Sequence, residues 1–395
     1  MEYTSCKLNE VLREIHSGGT PSTSVEEYWN GSYKWLSSGE TNQRFIYDTE
    51  SKITERGIKE SSTKLAKKHS VVMACAGQGK TRGQVSFLFD EMYVNQSVIV
   101  LNPYGDIVLP LYLFYNLTNR YDELRGGSDA SSTRGSITTS SLKNLSFSYP
   151  SLRTQERIID ILFSYDSLIE VNNKRIKLLE QMAEELYKEW FVRFRFPGYE
   201  NTEFKDGLPK GWTLSTEYKP IIPKGWHYGE FGELGKFARG KNITSAEMIE
   251  GEIPVISAGL EPSGFHNEAN VHGRSLTISA SGANAGYMKY NLDDIWAADC
   301  SYYQDSEKLW FAYHSLRFLQ PVISNLQCGA AQPHVHPKQI NKLMVIIPPE
   351  NIISKFCGFA EPIYAEIKQL RDTNNNLIKQ RDLLLPRLMS GKLEV

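Results

Sequence analysis

A chain of 395 residues with 41% hydrophobic and 23% charged residues has the composition of globular proteins and enough length for two domains with real cores. No apolar run approaches the roughly 20 residues that cross a bilayer, and the opening MEYTSCKLNEVLREIHSGG is acidic and polar where a signal peptide is basic and then apolar, so a cytoplasmic protein off the membrane is expected. With 44 basic against 46 acidic side chains the formal charge is −2, which argues against a general polyanion binder but not against a reader whose Lys and Arg are clustered.

Residues 1–150 read as a first globular domain, rich in Gly, Ser and Thr, with short β-like runs at 33–36, 70–74 and 94–101. Lys34, Gln43 and Arg44 lie around a Ser-x-Gly turn (YKWLSSGE, 33–40) and are candidate phosphate or base contacts. The string GQGKT (77–81) looks like a phosphate-binding loop. However, a P-loop needs Gly where Ala74 stands, and a helix where Gly83–Phe87 reads as a strand. The same loop suits DNA: Gly77, Gly79 and Gly83 permit close approach to a backbone, Lys80 and Arg82 can bond guanine or phosphate, and Gln84 can read adenine. A surface loop with solvated charges is the competing reading. A second candidate is the Gly/Ser-rich stretch 126–141 with Arg125, Ser128, Thr133 and Arg134.

Residues 151–197 read as a long helix. Ile158, Leu162, Tyr165, Ile169, Asn172, Ile176, Leu179, Ala183, Leu186 and Trp190 recur every third or fourth position, a narrow coiled-coil seam, and Pro197-Gly198 is expected to stop it. A polar linker, 198–221, carries LPKGW (208–212) and runs up to its near-copy IPKGW (222–226).

A second globular domain is expected over 222–348. IPVISAGL (253–260) resembles YKWLSSGE, RSLTISASGANAGYM (274–288) resembles HSVVMACAGQGKTRG (69–83), and CGAAQPHVHPKQINKLMVIIPP (328–349) resembles residues 126–150. Its candidate contacts are therefore Arg239, Lys241 and Asn242, then Ser281, Asn284, Tyr287 and Lys289, then Gln332, His334, His336 and Lys338. The His-x-His pair finds no third ligand at useful spacing between Pro333 and Pro337, so no metal is expected. A second long helix is expected over 349–391, its seam formed by Phe356, Ala360, Ile363, Ile367, Leu370, Asn374, Leu377, Arg381, Leu384 and Leu388. Asn172 and Asn374 are expected to lie together and fix register, the competing reading being that both face a polar gap or a partner subunit. Arg381 is expected to face a groove or a partner, and Pro386 falls near the end, where a kink costs least. The five cysteines (Cys6, Cys75, Cys300, Cys328, Cys357) are scattered and lack a CxxC pair, the usage of reduced thiols.

The chain is thus written twice. From Leu142 to Trp190 it matches itself at a constant offset of 198 residues, Leu142 falling on Ile340 and Pro150 on Pro348, while the globular blocks match at changing offsets. The expected fold class is α/β (α+β): two similar globular modules joined by two long antiparallel coiled-coil helices, an internal pseudo-two-fold repeat. A helix of roughly 39 residues spans about 58 Å, the length of roughly 17 base pairs. Two modules held that far apart suit a long, repetitive partner, and DNA is the obvious one.

WFVRFRFPGYE followed by LPKGW, the opening GGTPST…EYWNGSYKWLSSGE and the closing QRDLLLPRLMSGKL resemble the specificity (S) subunit of type I restriction–modification systems, over nearly the whole chain. The resemblance implies two target-recognition domains that read the halves of a split double-stranded DNA site. It also implies long helices that set the gap and dock two DNA adenine methyltransferase subunits, with a restriction subunit able to join. S-adenosylmethionine, ATP and Mg would belong to those partners and no cofactor to this chain. The residues agree with a non-catalytic role: there is no GxSxG elbow, no HExxH, and Asn102-Pro103-Tyr104 lacks the second proline of an adenine methyltransferase tetrapeptide. A P-loop NTPase using Lys80 and Thr81, and an adaptor that binds only proteins, are the competing readings.

Overall fold

The computed structural model describes residues 2–77, 81–131, 135–207, 221–326 and 334–395, with the backbone alone at 128–131. The chain divides into two compact units, Met1–Glu170 with Asn374–Val395, and Val171–Thr373. Each is a mixed α/β body that owns a stretch of both long helices, so the divisions fall inside the helices, not at their ends.

In the first unit a five-stranded sheet runs in the order Leu12–Ser17, Val98–Pro103, Val71–Ala74, Val85–Leu88, Phe45–Ile46. Its central strands are continuous apolar runs because both faces are covered. Ile46, Val72, Leu88, Val98 and Val100 of this sheet point one way, into a core with Leu36, Met92 and Val94 from a second, four-stranded sheet. Val71, Met73, Phe87, Ile99 and Leu101 point the other way, onto the helix Pro110–Asn119 and onto Ile158, Leu162, Leu385 and Leu388 of the long helices. The run expected as one strand over 94–101 is two strands, Met92–Val94 and Val98–Pro103, in different sheets. The Asn95 side chain accepts from the Ser97 backbone N–H at 3.0 Å and turns the chain between them.

The second unit repeats this plan with fewer edge strands. Its four-stranded sheet runs Ala238–Arg239, Cys300–Tyr303, Ser275–Ser279, Met288–Asn291, beside a three-stranded sheet Gly264–His266, Ile253–Ile256, Trp296–Ala297. In each unit the second sheet contains one parallel pair, Trp29–Leu36 with Met92–Val94 and Ile253–Ile256 with Trp296–Ala297. Each long helix springs from a matched two-stranded ribbon, Thr4–Lys7 with Ser146–Tyr149 and His227–Glu230 with Met344–Ile347. Strand Ser146–Tyr149 and helix start Leu152 become Met344–Ile347 and Glu350 on adding 198, so the sequence offset is also an offset of elements.

The first long helix is α-helical over Leu152–Tyr187 and closes with a π-helical turn, Lys188–Val192. It stops before the expected Pro197-Gly198. Phe194 takes a left-handed φ of 56°, and the rings of Phe191, Phe194 and Phe196 gather on the buried Trp226 at 5.0–5.8 Å, which draws the chain off the helix axis. Trp226 closes the second PKGW phrase; the first copy lies outside the described residues. The second long helix, Glu350–Met389, runs through Pro386 and also through Pro362. Pro362 is exposed, and the Gly358 carbonyl it leaves without an N–H donor is on an exposed residue. Every one of the twenty seam residues is buried or half-buried. In the second unit Trp190 meets Phe356 and Arg175 pairs with Glu366, which sets the helices antiparallel there.

Candidate nucleic-acid interface

In the first unit the three segments marked by sequence come together. The hairpin between Val71–Ala74 and Val85–Leu88 is turned by Gly77 and Gly83, at φ 111° and 86°, conformations in which any other residue is strained. Its described residues lead from strand to strand, and none of them begins a helix that could receive a phosphate, which argues against the P-loop reading. Its Arg82 is 3% exposed and donates Nη1 to the Gly135 carbonyl at 2.8 Å, while the Ile137 N–H bonds the Cys75 carbonyl. The hairpin and the Gly/Ser-rich stretch are thereby tied together. On the other side Ser86 Oγ donates to the Gln43 carbonyl at 2.6 Å and fixes the Ser38–Asn42 turn. Between the hairpin, the segment after that turn and the end of the helix Pro110–Asn119 lies a cavity of about 350 Å³ whose wall includes Asn42, Arg44, Gly83, Gln84, Thr118 and Tyr121. Among the described residues Gln84 Oε1, buried there, has no hydrogen-bond partner.

Three cations the sequence singled out are committed inside the unit. Lys34 holds Asp90 at 2.7 Å and the Tyr47 carbonyl at 2.6 Å. Arg44 lies over the Phe114 ring and donates to Asp166 at 3.2 Å, and Arg82 is the tie described above. Arg125 donates to the Tyr121 hydroxyl at 3.0 Å on the helix Tyr121–Ser131, which also carries Ser128. Gln43 is exposed. Lys80, Thr133 and Arg134 lie outside the described residues.

The second unit gathers the matched segments. Its hairpin, between Ser275–Ser279 and Met288–Asn291, is turned by Gly282 and Gly286 at φ 73° and 85°. Ser281 pairs with His334 across an isolated bridge, and the Val335 N–H bonds the Ala280 carbonyl at 3.0 Å. Asp299 accepts from both Arg239 and Ser281. Lys241 is held by its backbone to Ala297 and Trp296, with Nζ 5.8 Å from the Trp296 ring centre, and Asn242 beside it is exposed. Tyr287 is 43% exposed, Lys289 and Asn284 half-buried, and His334 stacks on His336, the residue that caps the helix Pro337–Asn341 carrying Lys338. Gln332 lies outside the described residues.

Matched positions differ in chemistry. The residue just before the second hairpin strand is Gln84 in the first unit and Tyr287 in the second; the arginine Arg82 corresponds to Ala285. Burial pushes the Cys300 thiol up to about 12 and raises that of Cys75, so neither is a ready nucleophile beside these loops. Four residues that matter here were not singled out from sequence: Asp166, Tyr115, Asp299 and Trp296. For Asp166 a signal existed, since an arginine on an apolar seam asks for a carboxylate. Arg381 does not face a groove or a partner. It is 6% exposed and donates Nη1 to Asp166 at 2.5 Å within the first unit, because burying a guanidinium demands a paired charge.

The fold and loops define a class: a protein with one mixed α/β unit, carrying a glycine-turned hairpin, built twice on long helices. The chain belongs to the type I restriction–modification DNA specificity family, which it matches over residues 2–181 and 223–383. It is 28% identical over 421 aligned positions to the type I restriction enzyme MjaIX specificity subunit of Methanocaldococcus jannaschii, covering 97% of this chain and 92% of that one. It is 24% identical to the HindI specificity subunit of Haemophilus influenzae, over 77% and 82% of the two chains. The crystal structure of the type I S subunit from M. genitalium shares the fold, with a TM-score of 0.59 at 17% identity over 98% of this chain and 96% of that one. Among the described residues no helix is long and apolar enough to cross a membrane.

Proposed function

We propose that the two units read the two halves of a split double-stranded DNA site, and that the chain recruits catalysis instead of performing it. The observation that carries this reading is the convergence, in each unit, of the same three segments around one glycine-turned hairpin, with different side chains at the matched tips. Gln84, Gln43 and Arg125 of the first unit, and Tyr287, Asn284, Lys289, Asn242, His336 and Lys338 of the second, contact bases and phosphates from those segments. The helices set the unread gap. Two adenine methyltransferase subunits bring S-adenosylmethionine and dock along the helices, where Val171, Leu178 and Met182, each one residue before a seam position, expose 59% of their surface on the flank beside the seam. A restriction subunit, with ATP and Mg, joins the same assembly in the cytoplasm.

Methylome sequencing of a host carrying this chain with its methyltransferase tests the reading. Adenine methylation at two short half-sites around a fixed gap is expected. An intact complex that adds no methylated motif would favour an adaptor.

A further inference from the structure

The repeat creates a pairing problem. Each unit is completed by a helix stretch that follows, in sequence, the division between units: the first by 374–389, the second by 171–192. Subtracting 198 from 374–389 gives 176–191, so the two stretches occupy equivalent slots on equivalent bodies. Two chains folding together therefore have a ready wrong answer, in which the stretches are exchanged.

We infer that Asp166 and Arg381 encode which stretch docks on which unit. In the first unit the Asp166 carboxylate, 2% exposed, accepts from Arg381 Nη1 at 2.5 Å, the Tyr115 hydroxyl at 2.7 Å and Arg44 Nη2 at 3.2 Å. Below it Leu385, Leu388 and Met389 fill the apolar part of the slot with Ile158 and Leu162. In the second unit the same three positions are neutral. Tyr364 stands for Asp166, Ala183 for Arg381 and His314 for Tyr115, and the Tyr364 hydroxyl meets His314 Nε2 at 2.9 Å. Aromatic rings fill the rest: Tyr187 is stacked on His314 at 5.7 Å, and Trp190 and Phe191 pack on Phe356.

Each stretch fits its own slot and is penalised in the other. Arg381 in the second slot would bury a guanidinium at a Tyr–His pair with no carboxylate in the Asp166 position, and Ala183 in the first would strip Asp166 of its nearest cation. Tyr187 and Trp190 would overfill a space shaped by Leu385 and Leu388. Specificity of this kind is a difference between right and wrong partners, and it is set by what the wrong one meets.

The test uses the full chain, unfolded in denaturant and refolded at increasing concentration, with native mass spectrometry and amide exchange across 374–389 as readouts. Asp166→Asn with Arg381→Met keeps the shape and removes the charges. It is expected to raise the fraction of exchanged oligomers at least about tenfold over wild type, growing with concentration. A purely structural pair would lower the unfolding midpoint and leave that fraction unchanged, and this result would overturn the inference. If that variant does not fold, Asp166→Tyr with Tyr115→His and Arg381→Ala, which gives both slots the second unit's neutral trio, decides the question on the same readouts.

Discussion

His314 is 3% exposed in the second unit, its Nε2 against the Tyr364 hydroxyl and its Nδ1 without a hydrogen-bond partner among the described residues. Burial, with Arg317 nearby, holds its pKa down at about 3, whereas in the unfolded chain it titrates near the ordinary 6.5. Between those values the unfolded state binds the extra proton. The stability this residue contributes is therefore fully present above pH 6.5 and is lost as pH falls toward 3, at up to about 1.4 kcal/mol per pH unit. His314→Gln should flatten that part of the profile in denaturant titrations at pH 7, 6, 5 and 4; an unchanged slope would show that another group is responsible. The same scale explains why the cations of the first unit were hard to assign from letters alone. Lys34, Arg44 and Arg82 have the appearance of phosphate contacts in sequence, yet each is held by an internal acceptor. An arginine reads the same whether it faces DNA or its own fold. Only burial separates the two.

At the scale of elements, the long helices were the most legible part of the chain, because a seam repeats and each a/d letter reinforces the others. Asp166 was legible only indirectly, since Arg381 on an apolar seam asks for a carboxylate without saying which. It lies off the seam stripe, one residue after Tyr165, and owes its burial to Arg381 arriving from 215 residues away. The break inside 94–101 was equally hidden, a short polar turn within an apolar run. Asn172 and Asn374 are both buried, and the two divisions of the chain fall within two residues of them, at Glu170/Val171 and Thr373/Asn374. Asn172→Leu should raise the thermal midpoint by a few degrees while broadening the population of helix registers seen by amide exchange; an unchanged midpoint counts against a register role. Trp226 anchors the chain reversal after the first helix. Trp226→Ala should destabilise the second unit by about 3–5 kcal/mol and leave amide protection in the first unit intact, which exchange mass spectrometry resolves unit by unit.

Over the whole molecule, duplication was visible in sequence and the matched strand order confirms it twice over, down to one parallel pair in each second sheet. What sequence did not reveal is that each compact unit takes part of both helices, since that depends on contacts between residues some 200 positions apart. A net charge of −2 also bears on binding. Each phosphate contact steepens the salt dependence of log K by about 0.9, and the proposed function divides these contacts between this chain and the methyltransferase. The salt slope for the S chain by itself should be shallow and should steepen when methyltransferase joins, as fluorescence anisotropy from 50 to 300 mM salt would report; equal slopes would place all phosphate contacts on this chain.

The central claim is that the two units read separate halves of one target. The most direct measurement is the methylated motif written by the intact complex carrying Gln84→Ala, compared with the motif written when the complex carries Tyr287→Ala. Each substitution is predicted to relax one half-site and leave the other half and the gap as in wild type. Both substitutions altering the same half, or either altering both halves together, would contradict it.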